Sequence, residues 1–295
     1  MAVEPAARSA AALSAYSQAS LQDYQECRRR FYLRYQLRLA WPALEVEPVE
    51  EHEHEMALGA AFHRLIQQHL VGVPADRLSR MIQEESLGVW WQAYLSFAHP
   101  DLSGIRPDPA IRLYPELSLS APLAGSRLLA KYDLIAVHSD GRVAIYDWKT
   151  SRTLPGRQGL IARTQTRVYR YVLVRAGAAI NSGEPFQPDQ IDMVYWFAGF
   201  PGAEERLSYD AAQFTRDGQD LGHLIKEIQG LKEPDFYLTS DERHCRFCTY
   251  RSLCDRGINA GTLDAEGEAE HRDQVVEVGT LDTDLDFDTI AEIGL

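Results

Sequence analysis

Lysine and long apolar runs are scarce in this sequence, and each shortage excludes something. Only four lysines occur, at 131, 149, 226 and 232, so 26 of the 30 basic residues are arginine. None of the four follows a glycine, which excludes the G-x-x-x-x-G-K-[ST] phosphate loop of a P-loop motor. The most apolar segment, Met193 to Phe200, is flanked by Asp192 and Pro201. It falls far short of the roughly 20 residues a membrane helix requires. The first twenty residues are rich in Ala and Ser and carry Glu4, without the basic-then-apolar order of a secretory signal. These absences predict a cytoplasmic protein with no membrane partner.

What is present is enough for a large core. Of 295 residues, 45% are apolar and 25% charged, enough for one large globular domain or two small ones. The net charge of -13 is unevenly spread. Residues 262–295 hold eleven acids against Arg272 alone, which leaves 32 acids and 29 bases upstream. The acidity therefore belongs to a tail, and a body near -3 can still present a basic groove.

Along the chain, residues 1–19 read as a flexible lead-in. Ser20 is a plausible N-cap for a helix to about Leu39, ended by Trp41-Pro42. An acidic loop follows to Glu55, then helices from Met56 to about Val71 and from Ala75 to about Ala98. Pro and Gly residues between Pro100 and Pro109 break the pattern. Residues 111–121, 127–138 and 142–150 read as consecutive strands, the last two joined by an Asp140-Gly141 turn. A helix from Leu160 to Arg175, a strand at 191–198 and a helix from Ala211 to Leu231 complete the body. A cysteine-rich segment at 244–256 precedes the tail. The fold class expected is α/β or α+β, with a helical N-terminal part and an antiparallel-rich sheet.

The chemistry concentrates in Ala130-Lys-Tyr-Asp133 and, on the next strand, Ile145-Tyr-Asp147-Trp-Lys149-Thr150. Asp147 and Lys149 are i and i+2, so both leave one face of a strand. Asp133, on the hairpin partner, can meet Asp147 across the ladder. Hard oxygen ligands of this kind favour Mg²⁺ or Mn²⁺. Such an ion stabilises charge on a phosphate and acidifies a bound water, suiting phosphodiester hydrolysis. Lys149 could orient that water or neutralise developing negative charge.

The four cysteines form a second signal: Cys27 near the start, then Cys245-x2-Cys248-x5-Cys254 near the end. In a cytosolic chain this spacing reads as a metal site rather than disulfides, and four thiolates hold either tetrahedral zinc or a [4Fe–4S] cluster.

Together these residues resemble the RecB-type branch of the PD-(D/E)XK nucleases. More narrowly they resemble its iron–sulfur members, which include the CRISPR-associated spacer-processing exonucleases and the AddB nuclease domain. Ser20-x3-Tyr24-x2-Cys27-x3-Phe31 resembles their first helix, and Gly59-x3-His63 the helix bearing a metal-binding histidine. Asp133 and Asp147-x-Lys149 resemble the two core motifs, and Gln165-x3-Tyr169 the helix motif after them. The resemblance covers about residues 20–256.

It implies a restriction-endonuclease-like core, a mixed central sheet flanked by helices, with an iron–sulfur staple joining the N- and C-terminal segments. One nuclease domain is expected over 20–261, with a helical insertion at about 56–98. His63, Asp133, Asp147 and the Trp148 backbone carbonyl would ligate Mg²⁺ or Mn²⁺, with Glu116 a further candidate. Lys149 would serve the water, and Gln165 and Tyr169, one turn apart, would line the site or contact DNA. Cys27, Cys245, Cys248 and Cys254 would hold the [4Fe–4S] cluster, with zinc the lesser alternative. Arg28 stands where the family usually has proline, and Ala130 where it usually has glycine; neither change removes a chemical group.

Two function classes follow. One is a metal-dependent deoxyribonuclease, an exonuclease on single-stranded DNA or DNA ends, serving DNA repair, recombination, CRISPR or phage defence. The other is a non-catalytic, partner-dependent subunit that binds DNA ends beside a helicase or within a CRISPR adaptation complex. Two further features are weaker. Glu51-His-Glu-His-Glu55 reads as a solvated stretch, and the arginines of 28–38 as phosphate contacts or a solvated helix face. The tail, alternating acids with Leu285, Phe287, Ile290, Ile293 and Leu295, reads as a docking or self-masking segment, or equally as a solubilising, disordered one.

Overall fold

The computed structural model describes residues 13–39, 47–97 and 111–257, with the backbone alone for 47–53. The Pro100–Pro109 break and the acidic tail lie outside the described residues. Six strands form one mixed sheet: β1 (Ala15–Ser17), β2 (Ile111–Leu123), β3 (Ser126–His138), β4 (Val143–Lys149), β5 (Ile191–Phe197) and β6 (Glu205–Ser208). The β2–β3 and β3–β4 pairs are antiparallel, β4–β5 parallel and β5–β6 antiparallel, while β1 lies parallel to β3. The expected α/β class with a mixed central sheet flanked by helices is the observed one.

Strand β4 is buried along its whole length, because both faces of the sheet are covered. On one face pack α1 (Gln18–Glu26), α7 (Thr164–Ala176) and α8 (Ala211–Gly230), around Leu21, Tyr132, Ile145, Tyr169, Met193 and Ile225. On the other face pack α3 (Glu47–Leu70), α4 (Ala75–Ser79) and α5 (Glu85–Ser96), around Phe62, Trp91, Tyr146, Trp148 and Trp196. The rings of Trp148 and Trp196 meet edge-on at 6.0 Å, and Phe62 stacks on Trp196 at 6.1 Å. Short α6 (Arg157–Ala162) precedes α7 in the crossover between the parallel strands β4 and β5.

Several boundaries differ from expectation. The last part of the expected lead-in is ordered, since β1 joins the sheet and α1 starts at Gln18. Ser17, not Ser20, is the N-cap; Ser20 occupies the third helical position and returns the bond in a reciprocal capping box. The single helix expected to Leu39 is broken at Cys27, whose backbone is extended at φ -156°. It resumes as α2 (Arg28–Phe31) and a π-helical turn over Tyr32–Gln36. Helix α3 begins at Glu47, so residues 51–55 are helical rather than loop. The expected 75–98 helix is two helices, and β6 was not anticipated.

Candidate active site

Because β2 runs along one whole edge of β3, β1 and β4 share the other edge. β1 reaches residues 127–129 and β4 residues 134–137, so residues 130–133 pair with neither. Asp133 stands at the end of that gap, and continuing the β3–β4 register would set it opposite Asp147. Here the hairpin also changes face. Ala130 and Tyr132 pack toward α7, whereas Leu134 and Ala136 pack toward α3. The same reversal occurs on β2, where Leu113 faces the α3 side and Leu117 and Leu119 the α7 side. At the turning point Glu116 adopts left-handed φ +53°, and Glu116 and Asp133 are skipped in an otherwise unbroken ladder. For a residue with a side chain that backbone costs about 1–2 kcal/mol. Strain of this kind concentrates at functional sites.

The switch brings together residues from three elements. His63 of α3 lies with Nδ1 3.2 Å from Asp133 Oδ1. His63, Glu116 and Asp133 each present a ligand atom, all within 4.8 Å of one another. Asp133 Oδ2 accepts the Trp148 backbone N–H at 2.8 Å, which fixes the carboxylate. Burial pushes the His63 imidazole down, but Asp133, with Asp147 and Glu116 beyond it, holds it up at about 9. Burial pushes the Asp133 carboxyl up, and His63, the Trp148 N–H and Lys149 outweigh this and hold it down. The Glu116 carboxyl is raised by burial and by Asp133, against the pull of Lys131. A site that keeps an imidazole protonated between carboxylates is one that a cation fits. His63, Glu116 and Asp133 therefore suit a divalent metal on geometry and on charge.

Behind this trio, on the α7 side of β4, is a closed triangle. Lys149 Nζ is 2.9 Å from Asp147 Oδ2 and donates to Gln165 Oε1 at 3.0 Å, while Gln165 Nε2 donates to Asp147 Oδ1 at 2.7 Å. All three residues are buried. The Tyr195 ring, beside Asp147 on the neighbouring strand, lies 5.8 Å from the Lys149 ammonium. Its hydroxyl pairs with Thr166 at 2.6 Å. Sequence reasoning missed Tyr195 and Thr166; the signal was the strand register, which sets Tyr195 beside Asp147.

Sequence-predicted residues thus divide by location. His63, Asp133 and Glu116 meet directly, and Asp147, Lys149 and Gln165 form the adjoining triangle. Tyr169 lies in the core, 1% exposed, its ring 4.9 Å from that of Tyr132 and its carbonyl accepting the Tyr132 hydroxyl. The Trp148 side chain belongs to the aromatic group on the α3 side, and its backbone N–H reaches Asp133. Of the arginines considered for phosphate, Arg30 is 5% exposed and bound to Asp23 and Glu26, and Arg34 is bound to Asp23. Both are structural, because two buried acids on α1 claim them. Glu55 pairs with Arg152 rather than lying in a solvated loop.

The four cysteines, 218 residues apart between Cys27 and Cys245, line one pocket. None forms a disulfide. The break at Cys27 aims its Sγ so that it accepts the Arg30 N–H at 3.4 Å. Burial raises the Cys245, Cys248 and Cys254 thiols, the last to about 11, and the neighbouring sulfurs add to the rise. Four cysteine sulfurs gathered in one pocket, without a disulfide among them, form a donor set that a metal centre fits.

The family model described as the PD-(D/E)XK nuclease superfamily matches residues 15–255. No curated protein matches the sequence. Among solved structures, the protein SSO0001 is similar at 16% identity over 83% of this chain and 88% of its own, with a TM-score of 0.34. A candidate exonuclease from Eubacterium rectale is similar at 10% identity over 85% of this chain and 91% of its own, with a TM-score of 0.47. Among the described residues no helix is long and apolar enough to cross a membrane.

Proposed function

The chain belongs to the PD-(D/E)XK nuclease superfamily, and from that premise we propose that it is a Mg²⁺- or Mn²⁺-dependent deoxyribonuclease of the RecB-type branch. The reading is an exonuclease on single-stranded DNA or DNA ends, with a structural [4Fe–4S] cluster. One observation carries it: a cation-seeking trio, His63, Glu116 and Asp133, directly adjoins the buried Asp147–Lys149–Gln165 triangle.

The residues divide the work as their positions suggest. His63, Glu116 and Asp133 hold the divalent cation, with Asp147 and the Trp148 carbonyl as further ligands. When bound, the ion supplies charge stabilisation to the phosphate and lowers the pKa of water. Lys149, held by Asp147 and Gln165, keeps a positive charge at a fixed place where negative charge develops during hydrolysis. Tyr169, one turn beyond Gln165, packs in the core against Tyr132. Cys27, Cys245, Cys248 and Cys254 hold the cluster and so bind the chain's start to its end. On this reading 20–261 is one nuclease domain. Residues 262–295 are a self-masking or docking tail, and DNA repair, recombination and CRISPR or phage defence are the processes the activity serves.

The test is degradation of end-labelled single-stranded DNA in EDTA, then with Mn²⁺ or Mg²⁺ restored. Cleavage that stops in EDTA and returns with metal is expected; cleavage that persists in EDTA would overturn the metal-dependent reading. An anaerobic preparation should absorb at about 400 nm if the cluster is iron–sulfur, and lack that band if zinc is held instead.

A further inference from the structure

Two of the chain's four lysines lie at the site, and they are placed differently. Lys149 is 6% exposed and shut in by Asp147, Gln165 and the Tyr195 ring. Lys131 is 27% exposed, on β3 two residues before Asp133, with its Nζ 2.7 Å from Glu116 Oε2. It is thus an accessible ammonium whose observed partner belongs to the metal-seeking trio.

We propose that Lys131 is a phosphate-binding residue, which rests on Glu116 in the metal-free protein and engages a backbone phosphate of the nucleic-acid strand when a cation takes Glu116. The inference rests on the metal reading of His63, Glu116 and Asp133. Its argument is charge competition. Glu116 has one negative charge to divide between an ammonium and a divalent ion, and the ion, with twice the charge and two further ligands, takes the larger share. Lys131 is then left part-buried next to a cation with its anionic partner largely neutralised. Such a group is stabilised by a new anion, and a non-bridging phosphate oxygen is the anion that a nuclease substrate brings. The Glu116 carboxylate, carried on a left-handed backbone, faces Lys131 and also belongs with His63 and Asp133 to the metal-seeking trio.

Lys131 in this role makes two predictions of definite sign. Removing an ammonium beside a metal ligand removes a competitor, so Lys131→Met should bind Mn²⁺ at least as tightly as wild type. Removing a phosphate contact should weaken single-stranded DNA binding about tenfold and flatten its salt dependence, lowering the log–log slope by about 0.7. The experiment titrates Mn²⁺ by electron paramagnetic resonance, then measures oligonucleotide binding in Ca²⁺ at several salt concentrations. It compares wild type, Lys131→Met and Lys131→Arg, with circular dichroism checking the fold. Lys131→Arg should retain the slope. Weaker Mn²⁺ binding by Lys131→Met would show that Lys131 holds Glu116 for the metal, and would overturn the proposal. An unchanged salt slope would overturn it equally. A wild type that binds no Mn²⁺ would instead remove the metal reading, and this inference with it.

Discussion

Glu116 is the only residue of β2 with a positive φ, and its strain has a measurable consequence. Glu116→Gly relieves about 1–2 kcal/mol of left-handed backbone strain and costs about 0.5–1 kcal/mol in unfolded-chain entropy. It should therefore unfold at or slightly above the wild-type temperature while losing Mn²⁺ affinity. A clear fall in melting temperature would mean that the ion pair with Lys131 outweighs the strain. At this scale the sequence was informative for Asp133, Asp147 and Lys149, whose types and spacings already set them near one another, while Gln165 was picked out by the family resemblance alone. It was less informative for Glu116 and Lys131. In regular alternation Lys131 and Asp133 look like an exposed face of a hairpin, and nothing local announces that both strands reverse face beside them. Tyr195 was hidden for another reason: its closeness to Lys149 depends on the register of a parallel pair 48 residues apart in sequence.

The elements that carry the site are tied together at two places, each open to test. Trp148 and Trp196 anchor α3 and α5 to the sheet from within a fully buried aromatic group. Trp196→Ala should cost about 3–5 kcal/mol by chemical denaturation, and a loss under 1 kcal/mol would mean that α3 is held elsewhere. The second tie is the helix break at Cys27. The helical pattern of residues 20–39 was readable, but the break was not, since Cys27 leaves helical geometry to cap α2 with its sulfur. Cys27→Ala should lose the absorption at about 400 nm and lower the melting temperature, because it removes both a cap and a proposed cluster ligand. A full band with unchanged melting would take Cys27 out of the centre.

Across the whole molecule, the layers were legible because the strands at 111–123, 126–138 and 143–149 carry strong patterns and clear turns. The short edge strands β1 and β6, of 3 and 4 residues, were not, since they are too brief for periodicity to show. Charge also acts at this scale. Deleting 262–295 removes ten net negative charges from the chain, and self-masking predicts that affinity for DNA then rises. Unchanged affinity would rule out self-masking. The central claim, that Asp147 and Lys149 beside the His63–Glu116–Asp133 trio form a nuclease centre, is tested most directly by one comparison. Wild type and Lys149→Ala, purified alike under anaerobic conditions, are incubated with end-labelled single-stranded DNA and Mn²⁺. The account predicts cleavage by the wild type and its loss in the variant, with Mn²⁺ still bound. Equal cleavage by both proteins, or none by the wild type, would contradict it.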